Sequence, residues 1–362
     1  MRKCKNCLLP DSVPGSDIDA SGRCRACREQ HDDLRERDEA LRQEYEADLS
    51  RTLATVRGTG DYDCIVNLSG GKDSCLLLYR IAKEHGLRVL AFTADVNIPD
   101  VAWENIRRTV RLVNVDHVVY TPPKDFYRKL YRFLLRNQEA GGAVRTVCYV
   151  CAPLYEGYSI QVAVEKHIPL VLAGYSPGQP DPSRMKYEFR RALIEDTDWT
   201  PPEVRESGLF SEAELRYFWN PGRYSEGTRF PRYLAPFHAW PYSQDDNIRK
   251  VVELGLIKNT TKASPVHSNC PLNWLLMYSD LKNLGYNPYA PEFSKLIREG
   301  KASRRYWKIM APVVDNMIRT QTFLGRNVRE SLKDLDLKTG ELRITRAAQT
   351  DDTMFPGRKP KP

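Results

Sequence analysis

Residues 62–80, YDCIVNLSGGKDSCLLLYR, place an apolar strand, a loop with two glycines and an apolar helix in direct succession. The glycines allow backbone angles and a close approach that a Cβ would block, so successive N–H groups can converge on an anion. The strand delivers the loop to the carboxyl end of a sheet, and the helix that follows directs the positive end of its dipole to the same place. The segment therefore predicts a phosphate-binding turn between a strand and a helix.

The side chains of this loop suit the same ligand. Lys72 supplies a full positive charge, Ser69 and Ser74 supply hydroxyl donors, and Asp73 can cap the helix or help to hold a magnesium ion. A purely structural turn would explain the two glycines and a cap, but not a lysine with a serine on either side. The loop does not match G-x-x-x-x-G-K-[ST] or G-x-G-x-x-G, which excludes the ordinary P-loop and the dinucleotide fingerprint.

The chain around the loop alternates strand-like and helix-like patterns from about residue 61 to residue 176. The apolar segments DCIVNL, RVLAFTAD, HVVYT and IPLVLAGY are separated by helical patterns. Such alternation favours an α/β fold with a parallel, doubly wound sheet. We therefore predict an α/β domain over residues 59–176 that binds a phosphate-bearing ligand at the carboxyl ends of its strands.

In this context the loop SGGKDS resembles that of the PP-loop ATP pyrophosphatases, which grips the pyrophosphate of ATP while a substrate is adenylylated. The resemblance implies ATP and Mg2+ as cofactors, with Lys72, Asp73 and Ser74 in catalytic roles. It also implies that Thr93 and Asp95 lie beside the adenosine and that Gly174 lies next to the bound nucleotide, although these three also fit ordinary strand ends. The implied nucleotide-binding residues are Ser69, Gly70, Gly71, Lys72, Asp73, Ser74, Thr93, Asp95 and Gly174.

A first cysteine set lies near the N-terminus as C-x2-C-x16-C-x2-C, formed by Cys4, Cys7, Cys24 and Cys27. This spacing is typical of a structural Zn2+ site with four thiolate ligands. Such a site would stabilise a segment too short to build its own core, and its four protein ligands would leave no open position for catalysis. We predict a zinc knuckle over residues 1–28, followed by a charged linker helix over residues 29–58.

A second set comprises Cys148 and Cys151 in CYVC and the distant Cys270 in HSNCPLNW. Three thiolates suit zinc with an outside ligand or a [4Fe-4S] cluster with one iron left without a protein ligand, while buried or incidental cysteines are the structural alternative. A PP-loop domain with this arrangement resembles the iron–sulfur tRNA thiolases, which implies that the three are cluster ligands and that tRNA is a possible substrate. Cys64 and Cys75 lie in apolar patterns and are predicted to be core residues.

Another resemblance covers more of the chain. The segments CKNCLLPDSVPGSDIDASGRCRAC, GDYDCIVNLSGGKDS and LKNLGYNPYAPEFSKLIREGKASRRYW resemble the N-acetyl sugar amidotransferases of surface-polysaccharide synthesis. That resemblance implies a sugar substrate whose acetamido group becomes an acetamidino group, with ammonia from a separate glutaminase. The cysteines of CYVC and Cys270 depart from that pattern.

Two enzymatic hypotheses follow, both with adenylylation of a substrate oxygen and release of pyrophosphate. In the first, sulfur from a sulfur-donor protein replaces AMP; in the second, ammonia from a partner glutaminase does so. A third hypothesis is a non-enzymatic nucleic-acid binder, against which the knuckle has few aromatic residues for base stacking. The substrate is a small molecule, a sugar or a tRNA.

The remaining expectations concern composition and chain organisation. The net charge of +8 over 362 residues is a mild bias, and no apolar run approaches the 18 residues of a membrane span. With no secretory signal in MRKCKNCLLPDSVPG, we expect a cytoplasmic protein without membrane attachment, and a homo-oligomer. We predict an inserted loop-rich segment over 177–245, a helical region over 246–335 and a flexible tail over 336–362. His238 and His267 are interpreted as structural or substrate-adjacent. Arg298, Arg304 and Arg305 are interpreted as a solvated helix face, with a clamp for an anionic substrate as the alternative.

Overall fold

The computed structural model describes residues 2–29, 32–177, 185–264 and 270–347. Its strands are β1 (Cys64–Asn67), β2 (Val89–Ala94), β3 (Asp116–Tyr120), β4 (Gln138–Glu139), β5 (Leu170–Ala173), β6 (Arg232–Leu234) and β7 (Ile344–Arg346). Five of them form one sheet in the order β3-β2-β1-β5-β6, in which every neighbouring pair is parallel. The strand order reverses at β1, so the carboxyl end of β1 lies at the switch point where doubly wound sheets bind ligands.

Helices flank and extend this sheet. They are α1 (Arg25–Arg28), α2 (Asp32–Val56), α3 (Lys72–Tyr79), α4 (Asp100–Val113), α5 (Lys124–Arg136), α6 (Gly142–Glu165), α7 (Arg191–Asp196), α8 (Pro202–Glu206), α9 (Glu212–Leu215), α10 (Gln244–Glu253), α11 (Thr260–Ala263), α12 (Asn273–Asn283), α13 (Ala290–Arg298), α14 (Arg304–Thr320) and α15 (Asn327–Asp334). The parallel sheet, the N-terminal cysteine cluster and the helical C-terminal region confirm the predicted α/β fold class.

The central strands are buried on both faces because helices cover each side of the sheet. In β1, Ile65 belongs to one apolar cluster, whereas Cys64 and Val66 belong to the cluster on the other face. This division follows from the alternation of side chains along a strand. Cys64 and Cys75 are fully buried in the second cluster, as their apolar surroundings predict.

The sheet extends beyond residue 176, where the sequence pattern of strands and helices ends. Strand β6 lies inside the segment predicted to be an inserted, loop-rich region, and it pairs in parallel with β5. Its three residues are too few to show an alternating pattern. Arg232, the first residue of β6, anchors the strand through two ion pairs: its guanidinium lies 2.9 Å from the Asp48 carboxylate and 2.8 Å from the Glu188 carboxylate.

The C-terminal part of the described chain is tied to the fold. Strand β7 pairs with β4, so residues 336–347 of the predicted flexible tail include an ordered strand. Strands of two and three residues are too short to be recognised from a sequence pattern. Residues 348–362 and His267 lie outside the described residues. Among the helices in the described ranges, none combines the length and apolarity needed to cross a membrane.

Candidate active site

The SGGKDS loop joins β1 to α3 and packs closely against two neighbouring elements. Gly70 has φ +79°, and a Cβ there would lie 2.4 Å from the carbonyl oxygen of Ala102 in the first turn of α4. At Gly174, just after β5, a Cβ would lie 2.9 Å from the backbone nitrogen of Ser74. Both contacts are shorter than a side chain permits, so glycine is required for the loop to sit between α4 and β5.

Hydrogen bonds between the two serines hold the loop in a tight turn. The Ser74 hydroxyl accepts the backbone N–H of Ser69 at 3.2 Å and donates to the carbonyl of Gly71 at 3.0 Å. The hydroxyls of Ser69 and Ser74 lie 3.2 Å apart. The start of α3 thus closes back on the end of β1, and the N-terminus of a helix at this position favours anion binding.

Lys72 and Asp73 form an ion pair within the loop. The Lys72 ammonium lies 2.6 Å from the Asp73 carboxylate, which also accepts hydrogen bonds from Asn247 at 3.0 Å and Tyr242 at 3.3 Å. Burial lowers the pKa of Lys72, but the Asp73 carboxylate and Tyr242 more than offset this and raise it overall. The lysine is therefore a permanent cation whose charge is balanced by Asp73.

A cavity of about 690 Å³ opens over this loop, a size within the range of small-molecule sites. One side is formed by residues 69–74 together with Gly174, Ser176 and Tyr242. Residues of α13 and α14 and six residues between Lys3 and Pro10 also line the cavity. The structure thus brings together all six predicted loop residues and Gly174 around one cavity.

Thr93 and Asp95 are placed differently from the loop residues. Thr93 is 1% exposed, and its hydroxyl donates to the carbonyl of Leu68 at 2.6 Å, so it supports the loop from beneath. The Asp95 carboxylate accepts the backbone N–H groups of Asn97 and Ile98, both at 3.1 Å, and lines a second cavity of about 700 Å³. Neither side chain is among those that line the cavity over the loop.

Glu292, in the first turn of α13, is a site residue that the sequence did not suggest. It is partly buried, it lines the cavity over the loop, and it interacts electrostatically with Lys72 and Asp73. Burial raises the pKa of Glu292 to about 7, although the charge of Lys72 opposes the shift. The surrounding APEFSKL is an ordinary amphipathic helix, so only packing reveals that this carboxylate faces the loop.

The four N-terminal cysteines form a ready metal site. The Cys4 and Cys27 sulfurs lie 3.7 Å apart, the Cys7 and Cys24 sulfurs lie 3.5 Å apart, and all four lie within 4.8 Å of one another. Burial raises the pKa of Cys4, but backbone N–H groups, including that of Cys24 at 3.3 Å, lower it overall to about 6. Four buried, clustered thiols of this kind fit a closed tetrahedral ion.

Two arginines predicted to face solvent dock the knuckle, residues 2–28, onto the C-terminal helices. Arg298 of α13 donates to the Cys7 sulfur at 3.5 Å. Arg304 of α14 donates to the carbonyls of Asn6 at 3.0 Å and Lys5 at 2.6 Å. Arg298 is half-buried and Arg304 remains exposed while it makes these bonds. The sequence does not indicate the contacts, because the partners lie almost 300 residues away.

The second cysteine set is brought together by the packing of α12 on α6. Cys148 and Cys151 lie within α6, and Cys270 lies just before α12. The buried Asp280 of α12 accepts the backbone N–H groups of Ala143 and Val144 at the start of α6, the latter at 3.0 Å. This contact fixes the register of one helix on the other and so places Cys270 near the CYVC turn.

Cys148, Cys151 and Cys270, hereafter the triad, do not form a compact group of sulfurs like that of the knuckle. Within the described ranges, the knuckle is the only group of three or more metal-ligand side chains whose donor atoms all lie within 4.8 Å. Cys151 is 7% exposed, lies 3.2 Å from the Tyr131 hydroxyl and also contacts that of Tyr155. Burial raises the pKa of Cys151 to about 12 and that of Cys270 to about 11, so both are thiols at neutral pH.

Helix α13 connects the three features. At its start, Tyr289 lines the cavity, donates to the Asn273 side chain and has its pKa raised by burial and by nearby Cys148 and Cys270. Glu292 follows beside Lys72, and Arg298 ends the helix on Cys7. One short helix therefore passes from the triad, along the SGGKDS loop, to the knuckle.

Comparisons with known proteins give similarities of low identity. No family model matches the chain. An argininosuccinate synthase from Symbiobacterium thermophilum is 26% identical over 159 residues, which are 42% of this chain and 38% of that protein. The chain therefore spans less than two fifths of the length of this curated relative.

Solved structures similar to this chain cover most of its length. The U34-tRNA thiolase NcsA from Methanococcus maripaludis, with its [4Fe-4S] cluster, is 13% identical, with 93% of this chain and 89% of that chain covered and a TM-score of 0.36. NMN synthetase from Francisella tularensis is 10% identical, with coverages of 86% and 98% and a TM-score of 0.36. The chain's own parallel sheet of reversed strand order, with SGGKDS at the carboxyl end of β1, is a doubly wound α/β fold.

Proposed function

We propose that this protein uses ATP to adenylylate an oxygen atom of an acceptor, releases pyrophosphate, and then replaces AMP with another nucleophile. The observation that carries the proposal is the SGGKDS loop, held between α4 and β5, at the floor of a cavity of about 690 Å³. A helix N-terminus, a permanently charged lysine and two hydroxyl groups there favour a polyphosphate.

Binding of the phosphates would engage Lys72 and the backbone N–H groups of the loop. The Lys72 ammonium exchanges its 2.6 Å contact with Asp73 for phosphate oxygens. Asp73 remains held by Asn247 and Tyr242, and its carboxylate is the group in this loop suited to Mg2+. Mg2+, when bound, neutralises charge on the phosphates. The protein contributes mainly positioning and electrostatic stabilisation.

In the first half-reaction the acceptor oxygen attacks the α-phosphorus of ATP. A bond forms between that oxygen and phosphorus, the bridging bond to the β-phosphate breaks, and pyrophosphate leaves. Where the acceptor is an amide, it loses its N–H proton as its oxygen becomes bonded to phosphorus. Glu292 accepts this proton, since its pKa of about 7 makes it an effective base at neutral pH.

For the second half-reaction we propose sulfur as the nucleophile, with the triad as its carrier. Tyr289 and Asn273 both line the cavity, and Tyr289 also lies close enough to Cys148 and Cys270 to interact electrostatically with them. A single zinc ion at about 2.3 Å from each sulfur requires sulfurs within about 4.6 Å of one another, and among the described residues the knuckle cysteines are the compact group of that kind. A [4Fe-4S] cluster binds each cysteine through a different iron, so it suits cysteines outside such a compact group, and it would supply an open iron for sulfur.

The alternative nucleophile is ammonia from a partner glutaminase, acting on an N-acetyl sugar. The observation that favours it is the state of Cys151, which is buried against the Tyr131 and Tyr155 hydroxyls with its pKa raised to about 12. Such a thiol fits a structural core residue as well as a cluster ligand. In that case the triad has no part in the chemistry, and the first half-reaction is unchanged.

Two measurements test the proposal. Pyrophosphate release is followed with N-acetyl sugars and with unmodified tRNA as acceptors. Lys72→Met should reduce the rate of release at least about 100-fold. The control is Lys83→Met, at an exposed lysine eleven residues later, which should leave the rate unchanged. Full turnover by Lys72→Met would overturn the loop assignment. Anaerobic purification followed by absorbance, iron and sulfide analysis tests the nucleophile: an active, colourless, iron-free protein would exclude the sulfur route.

A further inference from the structure

The N-terminal knuckle does more than stabilise its own segment. We propose that it forms one wall of the substrate cavity, so that metal binding at its cysteines and nucleotide binding at the SGGKDS loop are thermodynamically linked. This inference rests on the proposed function, because it takes the cavity to be the nucleotide site.

The knuckle contributes directly to the cavity surface. Lys3, Cys4, Lys5, Cys7, Leu8 and Pro10 line it, and they share this cavity with Ser69–Ser74. The cavity has a volume of about 690 Å³, so a nucleotide whose phosphates lie at the loop would occupy much of it. Ligand and knuckle are therefore neighbours within one site rather than separate features.

The wall is continuous because the knuckle is bonded to the same helices that face the loop. Arg304 donates to the Lys5 and Asn6 carbonyls, and Arg298 donates to the Cys7 sulfur. The Phe293 and Trp307 rings stack with centroids 3.5 Å apart, which joins α13 to α14. A change in the knuckle would thus be transmitted to the helix that carries Glu292.

The metal decides whether this wall exists. Residues 2–28 pack around the four cysteines and a few apolar neighbours, which is too small a cluster to fold by itself. Segments of this kind are ordered by their metal ion. Loss of the ion would therefore remove Lys3 and Lys5 from the cavity and expose the docking face of α13 and α14. The two lysines carry positive charge, so their loss would also weaken attraction for a polyanion.

Linkage between two binding events is reciprocal, so either ligand can be used as the probe. The full-length, zinc-loaded protein is mixed with the chelator 4-(2-pyridylazo)resorcinol, and the rate of zinc release is recorded with Mg2+ alone or with Mg2+ and α,β-methylene-ATP. The nucleotide should slow the release about fivefold or more. Conversely, removal of zinc should weaken nucleotide binding, measured by calorimetry, by the same factor by which nucleotide tightens the equilibrium binding of zinc.

Adjacent arginines offer a matched pair of variants. Arg304 also lines the cavity, so each variant is measured at a nucleotide concentration that saturates it. In Arg304→Ala the bonds to the Lys5 and Asn6 carbonyls are lost, and bound nucleotide should no longer slow zinc release. Arg305 is exposed and makes neither of those bonds, so Arg305→Ala should retain the full effect. Arg304→Lys, which keeps the charge but cannot reach both carbonyls, should give a smaller effect than wild type and guards against a folding defect in the alanine variant.

The outcomes separate this inference from the proposed function. If nucleotide binds in a Lys72-dependent manner but zinc release is unchanged, the knuckle is an independent module and the inference is overturned while the proposed function stands. If no nucleotide binds to the wild-type protein, both are overturned. Equal protection in Arg304→Ala and Arg305→Ala would show that the arginine contacts do not carry the linkage, which also overturns the proposal as stated.

Discussion

The knuckle cysteines are close in sequence and have their sulfurs within 4.8 Å, whereas Cys148 and Cys151 are separated from Cys270 by more than a hundred residues and meet only through packing. In the knuckle, turns and local N–H groups position each sulfur. In the triad, the positions depend on how α12 sits on α6. Local spacing can therefore specify a single-ion site, while the triad requires the whole tertiary structure.

The largest expected effect concerns the knuckle. Cys24→Ser should abolish zinc binding and unfold residues 2–28, because structural zinc sites in small peptides contribute about 10–16 kcal/mol to folding. Zinc analysis and hydrogen exchange over these residues would measure both effects. The matched control is Cys148→Ser, which should keep its zinc. Loss of zinc from both variants would contradict the separation of the two cysteine sets.

The next effect concerns Glu292, which lies between the two sets on α13. Glu292→Gln should lower pyrophosphate release about 100-fold, since general bases contribute at least that much. The wild-type rate should fall about tenfold per pH unit below about pH 7, because the carboxylate must be deprotonated to accept a proton and its pKa is about 7. The variant should lack this limb of the pH profile.

Glu299, at the end of the same helix, supplies the control. It pairs with Lys301 at 2.8 Å and does not line the cavity, so Glu299→Gln should keep the wild-type pH profile. Both variants should retain zinc. A pH limb that persists in Glu292→Gln would assign the titrating group elsewhere, and loss of zinc from it would mean that Glu292 supports the knuckle instead.

The smallest effect concerns the contact between Asp280 of α12 and the start of α6, which brings the triad together. Asp280→Ala leaves the Ala143 and Val144 N–H groups buried without acceptors and should lower the free energy of unfolding by about 2 kcal/mol. Burial raises the pKa of Asp280 to about 7, so the wild-type protein loses stability as pH rises from about 4 to 7. The cost of the substitution should therefore be larger at pH 5 than at pH 8.

Urea unfolding at the two pH values would measure this difference, with Asp280→Asn as the milder variant because it keeps one oxygen acceptor. If the triad holds a cluster, Asp280→Ala should also lower the iron content while the zinc content stays constant. An equal fall in zinc would contradict the view that the knuckle assembles independently of α6 and α12.

Several features could be predicted from the sequence because their signals are local. The strand, the glycines and the charged residues of SGGKDS are contiguous, and the alternation of apolar segments predicts a parallel sheet. The spacing of the knuckle cysteines is equally local, and the structure places their sulfurs together. In each case the residues that make the feature lie within a few turns of one another, so their spacing alone constrains their geometry.

Other features depend on contacts between segments that are far apart in the chain. Glu292 belongs to no motif. Nothing in the sequence indicates that Arg298 and Arg304 contact the knuckle. Strands β6 and β7 are three residues each and exist because a neighbouring strand offers hydrogen-bonding groups. The sequence by itself determined the SGGKDS loop, the sheet and the cysteine knuckle. The tertiary structure decided which helix faces the loop and what the knuckle touches, because packing acts between residues whose separation carries no pattern.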